Sequence, residues 1–267
     1  MPLPLAVQLY SFRDPARFGG AGMGLDPVQL EAIAAAGYLG VESVDVPGGD
    51  PIEARRVLAD TGLILASAHS WAAPSDRDAF ERACAALAEI GSPTIIVSAN
   101  RFGSVAEIEA LAGDLGAATE IAEAYGLRFG YHNHDTEFRM VDGVVAMDRL
   151  LALVDPAMAV QVDCYWVTVG GADPAAVISK LGERVVSLHV KDGVDLPTTV
   201  WGDEDYVNVP ALEGTVRLPA AIHAAESLPS VDWLIVEFDR VHGQAIDASR
   251  QSAERLVEAG LARGRTR

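Results

Sequence analysis

The sequence predicts a single (β/α)8 TIM barrel, and three observations carry that prediction. Apolar runs and helix-like patterns alternate from one end of the 267 residues to the other. Eight of the runs read as strands, and most are continuous rather than alternating, as suits parallel strands covered on both faces. No glycine-rich dinucleotide fingerprint follows the first run, VQLYSFRD, which argues against an open doubly wound sheet with the same alternation. There is no composition break and no Pro/Ser-rich linker, so residues 1–267 read as one domain.

The strands are expected at Leu5–Leu9, Gly40–Val44, Leu63–Ala68, Thr94–Ser98, Arg128–His132, Ala159–Asp163, Val185–Val190 and Trp233–Glu237. Helical patterns lie between them. Asp26-Pro27 opens VQLEAIAAAG with an N-cap, a proline at the first turn and a glycine stop. SDRDAFERACAALAEIG and SVAEIEALAGDLGAATEIAEAYG also end in glycine, and DPAAVISKLG repeats the Asp-Pro start. Strand starts recur at roughly 25–35 residues, the size of one βα unit. The last interval is longer. It carries Gly193–Gly214, a polar stretch with Trp201 and several acids, expected to act as a lid over the barrel mouth.

Lys and Arg total 20 against 38 Asp and Glu, a formal charge of −18. Such a field repels phosphate backbones and anionic lipid, so neither nucleic acid nor a membrane surface is an expected partner. Cys84 and Cys164 form neither a disulfide framework nor a zinc pattern. MPLPLAVQLYSFRD lacks the pattern of a signal peptide, and no apolar stretch reaches membrane-spanning length, so a cytoplasmic location is expected. Outer barrel helices often pair, which leaves a homodimer open.

Four of the six histidines end apolar runs: His69 in LILASAH, His132 and His134 in LRFGYHNH, and His189 in RVVSLHV. Asp163 ends MAVQVD and Glu237 ends WLIVE in the same way. Imidazole and carboxylate bind divalent metals, and a barrel gathers such groups at one end of its strands. Side chains alternate along a strand, so His132 and His134 share a face, with His134 nearer the rim. Lys191 shares the lumen face with His189 and is expected to hold a carbonyl or phosphate oxygen or to pair with a nearby acid. Glu42, ending the second strand, is read as binding substrate hydroxyls or pairing with His69. Trp166 and Tyr10 are candidates for stacking on a sugar face. Asp135 and Glu137 are candidates for orienting the rings of His132 or His134. Arg13 is a weak anion-binding candidate, and Asp45 and Asp239 read as loop caps.

YHNHDTEF, VDCYWVTVGGADP, RVVSLHVKDG and IVEFD resemble the sugar isomerase/epimerase family of xylose isomerase-like TIM barrels, whose relatives include inosose dehydratases, ketose 3-epimerases and endonuclease IV. The resemblance runs from QLYSFRD to the last strand. It implies one divalent metal held by a glutamate from strand five, an aspartate from strand six, a histidine from strand seven and a glutamate from strand eight. The matching positions are Asp163, His189 and Glu237, while His132 stands where many relatives have the strand-five glutamate. The implied ligand set is two carboxylates and two imidazoles. Manganese is favoured by the resemblance, with Co, Fe, Zn or Mg as alternatives.

The resemblance implies an isomerase or epimerase working on a ketose or related polyol carbonyl, a small sugar or cyclitol, through an enediolate. Glu237 with His134, His69 or Lys191 would move the protons. A dehydratase acting on a keto-inositol or 3-keto sugar is the competing expectation, because His132 removes one of the two glutamates that ketose epimerases use. A non-catalytic sugar-binding protein is the alternative of another class. A repair endonuclease needs a cluster of three zinc ions, with more histidines and acids than the chain offers.

Overall fold

The computed structural model of the chain describes residues 1–13, 26–194 and 206–265. Eight parallel strands form a closed barrel: β1 Leu5–Gln8, β2 Gly40–Val44, β3 Ile64–His69, β4 Thr94–Val97, β5 Arg128–His132, β6 Ala159–Asp163, β7 Val185–Val190 and β8 Trp233–Val236. They pair in chain order, and β8 closes on β1 with Ala6 opposite Ile235. The expected strands match to within a residue at each end. β1 stops one residue early because Leu9–Phe12 turns into a 3-10 helix. β3 runs one residue further, so His69 is its last member. Glu237 lies just beyond the end of β8.

Nine helices among the described residues surround the strands: α1 Pro27–Ala35, α2 Pro51–Thr61, α3 Arg77–Ile90, α4 Val105–Ala124, α5 Ala146–Leu153, α6 Cys164–Val169, α7 Pro174–Leu181, α8 Leu218–Glu226 and α9 Ala245–Glu258. Side-chain caps set the starts of six of them. Asp26 accepts from Val28 N at 3.0 Å, Asp76 from Ala79 N at 3.1 Å and Asp173 from Ala176 N at 3.0 Å. Gly62 and Gly91 end α2 and α3 in the left-handed conformation that an L side chain disfavours.

The main core lies between barrel and helices, where Val41, Ile95, Val160 and Leu188 meet Phe80, Leu87, Leu115 and Leu256. Strand residues on this face are sealed from water, which is why the runs read as continuous apolar segments. Inside the barrel the chemistry differs. A small cluster of Ala6, Ala66 and Ile235 packs with Trp233. Gly40 is needed beside it, since a Cβ there would lie 2.7 Å from the Ile64 carbonyl oxygen and 3.0 Å from the Trp233 ring. Above it the buried residues are polar: Gln8, Glu42, Ser67, Gln161 and Ser187. Barrel lumens are more often filled by branched apolar side chains, so this layer needs an account, and its hydrogen bonds provide one.

Part of the stretch expected as a lid, residues 195–205 with Trp201, lies outside the described residues. What is described shows how the strand β7 end is held. The Asp192 carboxylate accepts from the backbone N–H groups of Gly193, Leu212, Gly214 and Val216, tying residues 212–216 to β7. No helix among the described residues is long and apolar enough to cross a membrane.

Candidate metal centre and active site

The site is built upward from Glu42. Its carboxylate is fully buried and accepts four hydrogen bonds: Gln8 Nε2 at 2.7 Å, Ser67 Oγ at 2.5 Å, Gln161 Nε2 at 2.7 Å and His189 Nε2 at 2.6 Å. Burial pushes the Glu42 carboxyl up, but the His69 and His189 charges and the bonds from His189 and Ser67 outweigh it and bring it down to about 2. The expectation that Glu42 binds substrate hydroxyls is therefore corrected. It has no exposed surface, and both oxygens are engaged beneath the site. Its contact with His69, at 3.4 Å, is secondary to that with His189.

With Nε2 anchored on Glu42, His189 turns Nδ1 toward Glu237 Oε2 at 3.0 Å and Asp163 Oδ2 at 3.8 Å. Burial disfavours the imidazolium, but Glu237 and Glu42 hold it and raise its pKa to about 10. Donor atoms of Asp163, His189 and Glu237 all lie within 4.8 Å of one another. Asp163 is split between two duties. One oxygen caps α6 through Trp166 N at 2.9 Å, while the other is buried and accepts no well-directed hydrogen bond among the described residues. Burial raises the Asp163 carboxyl, opposed by Lys191 and His189. His132 Nε2 is 4.0 Å from that same Oδ2. Burial, and then the neighbouring imidazoles, hold His132 well below the usual histidine range, so it is neutral.

These residues fit a divalent ion. The set has two carboxylates and one imidazole close enough to share a cation, a buried carboxylate oxygen without a directed donor, and a neutral imidazole nitrogen near it. Lys191 enters the same space. Its ammonium is 2.6 Å from Glu237 Oε2, 3.2 Å from Asp163 Oδ2 and 2.7 Å from Asp239 Oδ2. Burial works against its charge, but Asp163, Asp239 and Glu237 keep it protonated well above the usual lysine range. Glu237 is the counterpart: burial pushes it up, and Lys191 and His189 pull it well below the carboxylate range.

A cavity of about 420 Å³ opens above this floor, with His69, His132, His134, Lys191 and Glu237 at its inner end. His134 lies nearer the rim than His132, and burial and the Lys191 charge lower it to about 3. Tyr10 lines the cavity. Trp166 does not stack there. It is 1% exposed and packs edge-on against Tyr165 and Tyr206, because α6 begins immediately after Asp163 and turns the indole into the wall. The exposed indole at the mouth belongs to Trp71, 65% exposed, with its ring centroid 6.1 Å from that of Tyr10. Its backbone N–H donates to Asp45 Oδ1 at 3.2 Å, which holds the chain while the ring stays open.

Two further expectations change. Asp239 is no loop cap but the third acid on Lys191. Glu137 does not touch an imidazole; it accepts from Tyr131 Oη at 2.7 Å, His134 N at 3.1 Å and Thr136 Oγ1 at 2.8 Å. Asp135 contacts Arg139. Gln161 orients the His132 ring, receiving His132 Nδ1 at 2.9 Å and His69 Nε2 at 2.7 Å. Arg13 donates to the Tyr10 and Asp239 carbonyl oxygens and lies 3.8 Å above the Tyr10 ring.

The model of the family described as xylose isomerase-like TIM barrel matches residues 30–259. The chain is 27% identical over 185 residues to a 3-dehydroshikimate dehydratase of Pseudomonas putida, a stretch covering 62% of this chain and 28% of that protein. It is 26% identical over 189 residues to an inosose dehydratase of Geobacillus kaustophilus, covering 61% of this chain and 60% of that one. Both relatives are thus matched over less than two thirds of their own length. Among solved structures, a sugar phosphate isomerase/epimerase from Parabacteroides distasonis superposes with a TM-score of 0.80 at 21% identity, covering 98% of this chain and 96% of the other.

Proposed function

The chain belongs to the xylose isomerase-like TIM-barrel family, and from that premise we propose that it is a divalent-metal-dependent lyase that removes water from a polyol ketone, with a keto-inositol or related cyclic keto compound as substrate class. The observation that carries this reading is the inequality of the proton-handling groups. Glu237 is an ionised carboxylate, its neighbour Lys191 is an ammonium 2.6 Å away, and strand β5 offers the imidazole of His132 where a second carboxylate would stand. Elimination needs a base at one carbon and an acid at the next, which adjoining groups can supply; inverting a carbon needs a base and an acid on its opposite faces. The names of the two dehydratase relatives point the same way.

Asp163, His189 and Glu237, with His132 as fourth donor, would hold the ion, and manganese is the first metal to test. When bound, it supplies Lewis acidity toward the ketone oxygen and so acidifies the adjacent carbon. Glu237 takes the proton from that carbon at a carboxylate oxygen. The C–O bond at the next carbon breaks as Lys191 Nζ gives a proton to the departing hydroxyl, which leaves as water, and a carbon–carbon double bond forms. The proton on Glu237 then returns to Lys191 across their contact, restoring both groups. Trp71 and Tyr10 offer apolar faces for the ring carbons, and the neutral His134 imidazole offers a hydrogen bond to a hydroxyl.

Isomerase or epimerase is the second reading, and His134 and His69 favour it. Either imidazole lies where a second base could face Glu237 across a substrate. Incubation with Mn2+ in D2O, with an inosose, 3-dehydroshikimate and neutral ketoses as probes, separates the outcomes by NMR. Water loss to an unsaturated product supports the lyase. Deuterium entry without water loss supports the isomerase. Binding of a probe with neither change identifies a sugar-binding protein and overturns both enzyme readings.

A further inference from the structure

Gln161 occupies the centre of the lumen and uses its whole hydrogen-bonding capacity. Nε2 donates to Glu42 Oε1 at 2.7 Å and to Ser187 Oγ at 3.0 Å. Oε1 receives His132 Nδ1 and His69 Nε2. The orientation of an amide is normally ambiguous, but here a neighbour decides it. Glu42 already accepts from Gln8 Nε2, whose own orientation is set by Tyr10 N, and from Ser67 Oγ and His189 Nε2, so the NH2 group must face it. A flipped Gln161 would set its oxygen 2.7 Å from a carboxylate oxygen and leave two buried donors pointing at two rings. The carbonyl oxygen therefore faces both imidazoles, and each must donate to it.

That requirement fixes two tautomers with one side chain. His132 carries its proton on Nδ1, which leaves the Nε2 lone pair on the Asp163 side, 4.0 Å from Oδ2. His69 presents a protonated Nε2 to the same oxygen at 2.7 Å. Gln8 completes the frame. Its own amide is fixed because Oε1 accepts from Tyr10 N at 3.1 Å, so its Nε2 must serve Glu42. Glu42 in turn anchors His189 Nε2 and turns Nδ1 toward Asp163 and Glu237. One carboxylate–amide pair thereby orients three imidazoles.

We propose that Gln161 is the positioning residue that lets a histidine act at the strand-five ligand position of this chain, by holding His132 with its Nε2 lone pair toward Asp163 while fixing the His69 ring through its Nε2–H. A carboxylate at position 132 would need no such help, because both its oxygens are acceptors. An imidazole has one lone pair and needs its other nitrogen satisfied on the correct side. The ligand half of the proposal rests on the metal reading above; the tautomer half does not.

The experiment uses the full chain and reads the imidazole nitrogens by long-range 15N–1H correlation before and after Mn2+-free preparation is confirmed, then measures Mn2+ affinity by calorimetry. In the metal-free wild type, His132 should show a protonated Nδ1 and an unprotonated Nε2, and His69 a protonated Nε2. Gln161→Met, which conserves volume but offers no amide, should lose the single-tautomer signature at both histidines and weaken Mn2+ binding by roughly 10–100-fold. Gln161→Glu, whose neutral form again accepts from both rings and donates to Glu42, should restore the signature. A wild type with the proton on His132 Nε2 overturns the proposal whether or not the variants fold. So does a Gln161→Met protein that keeps both tautomers and its Mn2+ affinity. The expected tautomers in a protein that fails to bind Mn2+ would sustain the positioning role and sink the metal reading instead.

Discussion

The Lys191 ammonium lies 2.6 Å from the Glu237 carboxylate, inside the group of acids that would hold a cation. The chain thus carries a positive charge of its own at the place where a metal ion would neutralise Asp163 and Glu237. The two carboxylates are shielded from mutual repulsion in the metal-free protein by a group that, in the proposed reaction, also gives a proton.

Replacing Lys191 by methionine should separate those roles. Without Mn2+, removal of one partner leaves buried carboxylates uncompensated, which costs about 3–5 kcal/mol. The metal-free variant should melt well below the wild type, and saturating Mn2+ should recover most of the difference, because a ligand bound only by the folded state stabilises it. Turnover should remain at least about 100-fold down in the Mn2+-loaded variant, since the proton donor is gone. Melting curves with and without Mn2+ check the first part. A metal-free variant as stable as the wild type would show that Lys191 does not hold the acids together.

Asp163→Asn tests the metal reading without disturbing the fold. The amide oxygen can still cap α6 through Trp166 N, and Lys191 keeps Glu237 and Asp239, so the metal-free variant should lose less stability than Lys191→Met does. The second atom becomes a donor and the charge is lost. Mn2+ affinity should fall by more than the roughly 10–100-fold cost of losing a supporting residue. Elemental analysis of the purified variant and calorimetry measure this. Unchanged metal content refutes the ligand set.

Much of the barrel is legible in the sequence because its strands are sealed by helices outside and carry no alternation on that face. The site is legible for a narrower reason: His189, Asp163 and Glu237 sit at matching heights, where the strand pattern ends. The polar layer beneath them is harder to see. Gln161, Ser187 and Ser67 each stand two residues before a site residue, so the two-residue period of a strand places them on the lumen face. Asp239 follows Glu237 by the same interval. Trp166 and Trp71 show the limit of such reasoning. The rotation of α6 decides where the first indole points, and no periodicity marks the second, which lies in the turn after β3.

Trp71→Ala should act on binding rather than chemistry. The indole is 65% exposed at the cavity mouth, with its ring beside that of Tyr10. Loss of a stacking face should raise KM by about two- to tenfold, in line with the roughly 0.5–1.5 kcal/mol of an aromatic contact beyond its area, with kcat within about twofold. Trp166→Phe makes the comparison, since its ring lies in the wall. Steady-state kinetics on whichever probe turns over reads both. A Trp71→Ala variant with normal KM removes this residue from the binding surface.

Glu137 should give the fold a pH dependence that is independent of any metal. Burial raises its carboxyl to about 7 from the ordinary 4.5, against the bonds from Tyr131, His134 N and Thr136. The folded chain therefore favours the protonated form more than the unfolded chain does. The contribution of this group to stability is complete below about pH 4.5 and is lost as pH rises through 7. The loss is on the order of 3 kcal/mol at pH 8, each pKa unit being about 1.4 kcal/mol. Glu137→Gln keeps an acceptor for Tyr131 and His134 N and cannot ionise, so it should gain on the wild type between pH 5 and pH 8. Urea unfolding of both chains at the two pH values measures the gap. Parallel behaviour would mean that the three donors keep Glu137 ionised throughout, and that the buried pocket around Tyr131 stabilises the charge it was expected to exclude.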